Sequence, residues 1–290
     1  MQLKNKKKKI MKNLKTKIVI IGISLLSFNI FAQDYVYNGI KNVDATIGIN
    51  NSEGDSGQEI ISSDCYDPAN VGKRIQARGC ADLLIVDNNS LRQMVLNDEN
   101  YADTNIFTGQ VTDMSYLFCE YSNSAKCTNK APIYSISNWD VSNVIDMSFM
   151  FNRSDCKYFL NDWNVSNVTN MLHMFSYSTC NQQLNNWDVS NVTNMSYMFY
   201  NSSYNQELNN WNVSNVENMM LMFGESKYNK ELNNWNVSNV SDMYRMFINS
   251  DYNQDISSWC VPNIPSKPVD FDKNSGFKNQ NSLQPNWGCN

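Results

Sequence analysis

The sequence predicts an α/β solenoid: a right-handed coil of 24-residue repeats, each a short parallel strand plus a helical turn, closed by N- and C-terminal caps. Three observations carry that expectation. Six tryptophans, Trp139, Trp163, Trp187, Trp211, Trp235 and Trp259, recur at one unbroken period, the mark of a repeat protein. Around each lies one phrase, cleanest as NNWDVSNVTNMSYMF at 185–199 and NNWNVSNVSDMYRMF at 233–247. Within it the apolar spacing changes from two to three, as where a strand gives way to a helix.

The elements follow in order. Residues 1–32 hold eight Lys, no acid and an apolar run from Ile18 to Phe31 ending at Ala32, the pattern of a secretory signal peptide cleaved after Ala32. The run is too short for a bilayer span, which needs about 20 residues. No Cys lies near the cleavage point to take a lipid, so no transmembrane or lipid anchor is expected. Residues 33–64, with NNSEGDSG, read as a flexible leader. Residues 65–107 form an N-terminal cap with a short helix over Leu91 to Leu96, and the repeats fill 108–261. Pro262, Pro265 and Pro268 then end the pattern, and residues 262–290 cap the last unit, as an open repeat end requires.

Inside one unit, Trp187 and Val189 point to one face of the predicted strand, and Asn186 and Asp188 to the other. Val192, Met195, Met198 and Phe199 suit the buried stripe of one or two helical turns, which Ser190 or Asn191 would cap. Tyr200 to Gln206 has the composition of a return loop. A unit this small cannot bury its own apolar face, so neighbours must stack into ladders of Val, Phe and Met. The 15 Met then pack as thioethers against Phe rather than ligate metal. Asn143, Asn167, Asn191, Asn215 and Asn239 form a column whose amides are expected to bond the backbone of adjacent units.

WNVSNVTNM followed by MF, a Ser three positions later and then YNQELNNW resembles the BspA-type leucine-rich repeat surface proteins, whose repeat is also catalogued as a domain of unknown function common in bacteria and mycoplasmas. The resemblance covers roughly 108–290 repeat by repeat, and ADLLIVDNNSLRQMVL and TGQVTDMSYLF resemble that family's entry into its first unit. It implies a leucine-rich-repeat-like coil, export, and a part in adhesion and protein binding.

Without residues 1–32 the chain holds 15 basic against 28 acidic side chains, a net charge of about −13. Nucleic acid, which needs clustered Lys and Arg to displace counterions, is excluded as a partner, and anionic lipid is disfavoured. All eight cysteines lie beyond the predicted signal, which suggests disulfides in an oxidising compartment. Cys156 and Cys180 stand one period apart, at the same site in adjacent units and within disulfide range. Cys65 with Cys80 would close the N-terminal segment, Cys119 with Cys127 an insertion, and Cys260 with Cys289 the tail; other arrangements stay open. Zinc is the weaker reading, with no CxxC and one His.

Candidate ligand-binding positions flank each Trp on the outward face of the predicted strands: Asn138 and Asp140, Asp162 and Asn164, Asn186 and Asp188, Asn210 and Asn212, Asn234 and Asn236. They form either a surface for an extracellular or cell-surface protein or a glycan, or a solvated face whose ladders merely stabilise the strands. A second candidate is the site where Phe149, His173, Tyr197, Leu221 and Arg245 succeed one another, because specificity needs variation. Tyr204, Tyr228 and Tyr252 share a column suited to packing.

An enzyme is the contrasting class. No nucleophile elbow, phosphate loop or HExxH occurs, and His173 sits at a variable position. Asp140 and Asp162 could pair for glycan cleavage, but they alternate with Asn in regular columns. Calcium-binding repeats need glycine-rich turns that are missing here. The expectation is therefore a secreted or cell-surface binding and adhesion module with no catalytic activity, cofactor or metal. The alternative is a glycan-binding or glycan-processing accessory protein. Periplasmic retention, surface display, release and oligomeric state all stay open.

Overall fold

A computed structural model describes residues 61–120 and 127–290, so the predicted signal peptide and most of the predicted leader lie outside the described residues. Ser62 and Asp67 open two 3-10 turns, Ser63–Tyr66 and Pro68–Asn70, their side-chain oxygens accepting from the N–H of Asp64 and Ala69. The Cys65–Cys80 disulfide closes this segment over a small core of Ala77, Ile85 and Phe107. Strand β1 (Leu84–Ile85) pairs in parallel with β2 (Ile106–Phe107), and helix α1 (Asn88–Leu96) lies between them in sequence. Asp87 starts α1 with a reciprocal cap: its carboxylate accepts from the Ser90 N–H while the Ser90 hydroxyl accepts from the Asp87 N–H, both at 2.8 Å. Leu91, Met94 and Val95 are its buried face. Asn88 Oδ1 accepts from the Thr112 and Asp113 N–H groups, and Arg92 donates to the Ser115 carbonyl, which fixes α1 on the first repeat.

The repeats correct the predicted architecture. The α/β solenoid of strands and helical turns does not form: the described residues contain one α-helix and four very short strands, and the rest is turns and loops stapled by disulfides. The reason lies in the backbone of the segment read as helical. The N–H groups of Met150, Asn152 and Ser154 turn back to the carbonyls of Met147, Phe149 and Phe151, whereas those of Met147, Phe149, Phe151 and Arg153 donate to Asn170, Leu172, Met174 and Ser176 of the following repeat. An α-helix needs every N–H for its own fourth-preceding carbonyl. Here alternate donors leave the segment, which requires Phe149 (φ 58°) and Arg153 (φ 59°) in the left-handed region, and a right-handed helix cannot include them. The same pattern recurs at His173 and Tyr177, Tyr197 and Asn201, Leu221 and Glu225, Arg245 and Asn249. Apolar residues three apart fit successive tight turns as well as they fit a helix.

The predicted strands around Trp are also replaced. The backbone N–H of each of the six periodic Trp closes a turn onto the Leu or Ile three positions before it, as Trp187 does on Leu184 at 3.1 Å. Between one repeat and the next, the sheet-like pairing among the described residues is limited to single parallel bridges from Asp113 to Asp146, Asn170, Asn194, Asn218 and Asp242 in turn. The leucine-rich-repeat-like form of the coil falls with the strands.

The apolar columns nevertheless bury as columns. Phe151, Phe175, Phe199, Phe223 and Phe247 are fully buried, each ring 5.6–5.7 Å from the next and nearly parallel to it. Trp163, Trp187 and Trp211 follow at 6.5 and 6.4 Å, and each of these three indole N–H groups donates to a carbonyl of the preceding repeat. Burying one such side chain stabilises the fold by about 1.5–3 kcal/mol. The Asn column behaves as its composition suggests: Asn167, Asn191, Asn215 and Asn239 donate from Nδ2 to Ser142, Ser166, Ser190 and Ser214 carbonyls at 2.6–2.7 Å.

Disulfides join Cys65 to Cys80, Cys119 to Cys127, Cys156 to Cys180 and Cys260 to Cys289, the four pairs suggested by spacing. Cys156 and Cys180, with Cα atoms 4.9 Å apart, occupy the column that Tyr204, Tyr228 and Tyr252 continue. At the C-terminal end β3 (Cys260–Val261) pairs with β4 (Asn286–Trp287), and Phe271 and Phe277 set their edges against Phe247 at 5.5 and 5.6 Å. The last repeat is thus covered by side chains that do not repeat.

Candidate functional site

Two surfaces were candidates, and their geometry differs. At the positions flanking Trp, one member of each pair is engaged. Asp140, Asn164, Asp188, Asn212 and Asn236 accept from the N–H of the serine two positions later at 3.0–3.2 Å, each holding an Asx turn. Asp140 is bound further, since its other oxygen accepts from the Tyr66 hydroxyl at 2.9 Å. Burial and the neighbouring Asp140 carboxylate push that phenol up to about 12. The other members, Asn138, Asp162, Asn186, Asn210 and Asn234, are exposed. There is no strand face beneath them, so the ten residues alternate between turn closure and solvent.

The second surface is built by the left-handed residues. A positive φ aims the side chain away from the core that its neighbours enter, and at one site this happens in every repeat. Tyr116, Phe149, His173 and Tyr197 succeed one another there, half-buried, with ring centroids 4.5, 4.6 and 4.2 Å apart and planes within 20°. Leu221, itself buried, and Arg245 follow at the same position. Beside it, Tyr200 meets Tyr197 and Tyr177 edge-on at 5.5 and 5.4 Å, and the Arg153 guanidinium lies 4.3 Å from the Tyr177 ring centre. His173 is held inside the row, where burial lowers its pKa to about 4 and leaves the imidazole neutral, its Nδ1 without a hydrogen-bond partner.

The model of the family described as "Mycoplasma protein of unknown function, DUF285" matches the chain at residues 89–199, 112–227 and 176–287. Together these matches run over more than half of the sequence. The chain belongs to this family. No curated protein and no solved structure matches it.

The overlapping DUF285 matches place the repetition in the part of the chain that holds both surfaces. Within this DUF285 repeat the Asn and Asp residues next to Trp are the uniform element, and the aromatic row is the variable one. Among the described residues, no group of three or more His, Cys, Asp and Glu side chains is placed to hold a metal ion, and no helix is long and apolar enough to cross a membrane. Sequence reasoning missed the role of Ser178, Ser202, Ser226 and Ser250, whose buried hydroxyls accept from the N–H two positions on. Their signal was present as the serine three positions after each MF.

Proposed function

We propose that this chain is a binding module that works outside the cell and recognises extracellular or cell-surface proteins. The observation that supports this reading is the outward aromatic row Tyr116, Phe149, His173 and Tyr197 with Tyr177, Tyr200 and Arg153 beside it. Tyr and Arg dominate the energetics of protein interfaces, because each brings a large apolar body and a polar tip at little entropic cost. Stacked rings are already ordered before a partner arrives, which lowers the cost of association. Four disulfides suit an oxidising compartment, and the resemblance to BspA-type surface proteins points to export and adhesion. No chemistry of its own is proposed for the chain.

The test is a screen of the chain against arrayed extracellular proteins, repeated with Tyr197→Ala and Phe149→Ser. Saturable binding that weakens by about tenfold or more in these variants supports the reading. Hits that bind both variants as tightly as the parent overturn the assignment to this row.

A further inference from the structure

A different surface carries a ligand chemistry of its own. Where the N-terminal segment meets the first repeats, a cleft of about 520 Å3 opens, and none of its lining residues is charged. That size lies in the range of small-ligand sites. Its polar groups have been sorted by the fold. Gln110 spends its amide nitrogen on the Cys65 and Asp67 carbonyls, Asn143 donates to Gly109, and Asn167 donates to Ser142. Each amide nitrogen is thus committed to at least one protein carbonyl, and the amide oxygens of the same three residues remain as acceptors. Thr169 likewise directs its hydroxyl hydrogen toward the Ile145 carbonyl, which leaves its lone pairs.

Apolar patches lie among these acceptors. Ile145 lines the cleft while 51% exposed, and the Tyr66 ring stands in its wall. That ring is immobilised by its hydrogen bond to Asp140 and by an edge contact with Phe107 at 5.4 Å. A Cβ at Gly109 would collide with the Phe107 ring and with Asp140 Oδ2, 2.7 Å away, so glycine lets these two side chains pack behind the cleft.

A ligand for this cleft must be uncharged, rich in hydrogen-bond donors and apolar between them. Calcium fits poorly, since its sites rely on carboxylates and the lining offers none. An anion would find no cationic side chain in the lining. We propose that the cleft is a binding site for a neutral oligosaccharide, whose hydroxyls donate to the Gln110, Asn143 and Asn167 amide oxygens while its C–H faces lie on Tyr66 and Ile145. The amide oxygens recur with the repeat along the Asn column, which suits an extended chain of sugars. The cleft and the aromatic row share no residue, and neither assignment depends on the other.

The experiment is calorimetric titration of the full chain with cellohexaose, chitohexaose, maltohexaose and mannohexaose, and with an uncharged alanine peptide blocked at both ends. Ile145→Trp and Thr169→Tyr fill the cleft from its solvent side, and Tyr197→Ala serves as the control. Binding of at least one oligosaccharide, weakened by roughly tenfold or more in a filled variant that melts like the parent and unchanged in Tyr197→Ala, supports the site. No oligosaccharide binding, binding that survives both filled variants, or binding of the peptide in place of the sugars overturns it.

Discussion

The indole N–H of Trp187 donates to the backbone carbonyl of Leu160, 2.8 Å away in the preceding repeat. The same carbonyl also accepts from the Trp163 N–H at 3.1 Å, so one oxygen ties a turn and a neighbouring side chain together.

Replacing that indole separates hydrogen bonding from packing. Trp187→Phe leaves the Leu160 carbonyl with one partner and is expected to cost about 1–2 kcal/mol. Trp187→Ala also opens a cavity between Phe175 and Trp211 and is expected to cost about 3–5 kcal/mol. Chemical denaturation of the two variants measures the difference.

Adjacent residues beside Trp187 should respond unequally. Asp188→Ala removes the acceptor for the Ser190 N–H and is expected to cost about 1 kcal/mol, the order of a net hydrogen bond. Asn186→Ala alters an exposed side chain and should stay within about 0.5 kcal/mol. Equal melting losses would contradict the division of these columns into turn closure and solvent.

His173 gives the fold a pH dependence on the acid side. Burial holds its folded pKa at about 4, below the ordinary value near 6.5, so the unfolded chain binds the proton first. The associated stability is complete above about pH 6.5 and falls as the pH drops toward 4. Ordinary carboxylic acids titrate below this window, so the difference between denaturation at pH 7 and at about 5.5 should shrink in His173→Phe. That ring also fits between Phe149 and Tyr197.

Tyr204, Tyr228 and Tyr252 act on the alkaline side. Their hydroxyls are buried, those of Tyr228 and Tyr252 without a partner among the described residues, and burial pushes each pKa well above the ordinary phenol value near 10. The folded state keeps protons that the unfolded state loses, so stability is present below about pH 10 and declines above it. Tyrosinate absorbance should show the three still protonated after the exposed tyrosines have titrated. Tyr228→Phe removes an unsatisfied hydroxyl and is expected to be neutral or stabilising by up to about 1 kcal/mol at neutral pH.

Much of this was legible in the residues. The repeat period, the buried Phe, Trp and Met columns and the Asn amides bonded between repeats follow from composition at fixed spacing. The helix over Leu91 to Leu96 is there too, starting slightly earlier at Asn88. What failed was the backbone conformation between the columns. Left-handed residues are usually announced by Gly or Asn, yet Phe149, His173, Tyr197, Leu221 and Arg245 adopt φ of 53–58° with bulky side chains. The N–H groups of Phe149, His173, Tyr197 and Leu221 bond carbonyls of the next repeat, and no local propensity encodes a partner so far along the chain. The flanking Asn and Asp pairs do face outward, but from turns rather than from the strands that their spacing suggested.

Growth of such a chain is quantised. Each turn segment is completed by the segment that follows it, so a single insertion or deletion inside 147–153 would leave donors facing the wrong carbonyls, while duplication of one whole repeat would leave every bond intact. Phe271 and Phe277, which close the last unit, need not change when units are added ahead of them. The proposed binding surface can therefore lengthen or shorten by whole steps, and its aromatic row can be respelled one side chain per step without redesign of the interior.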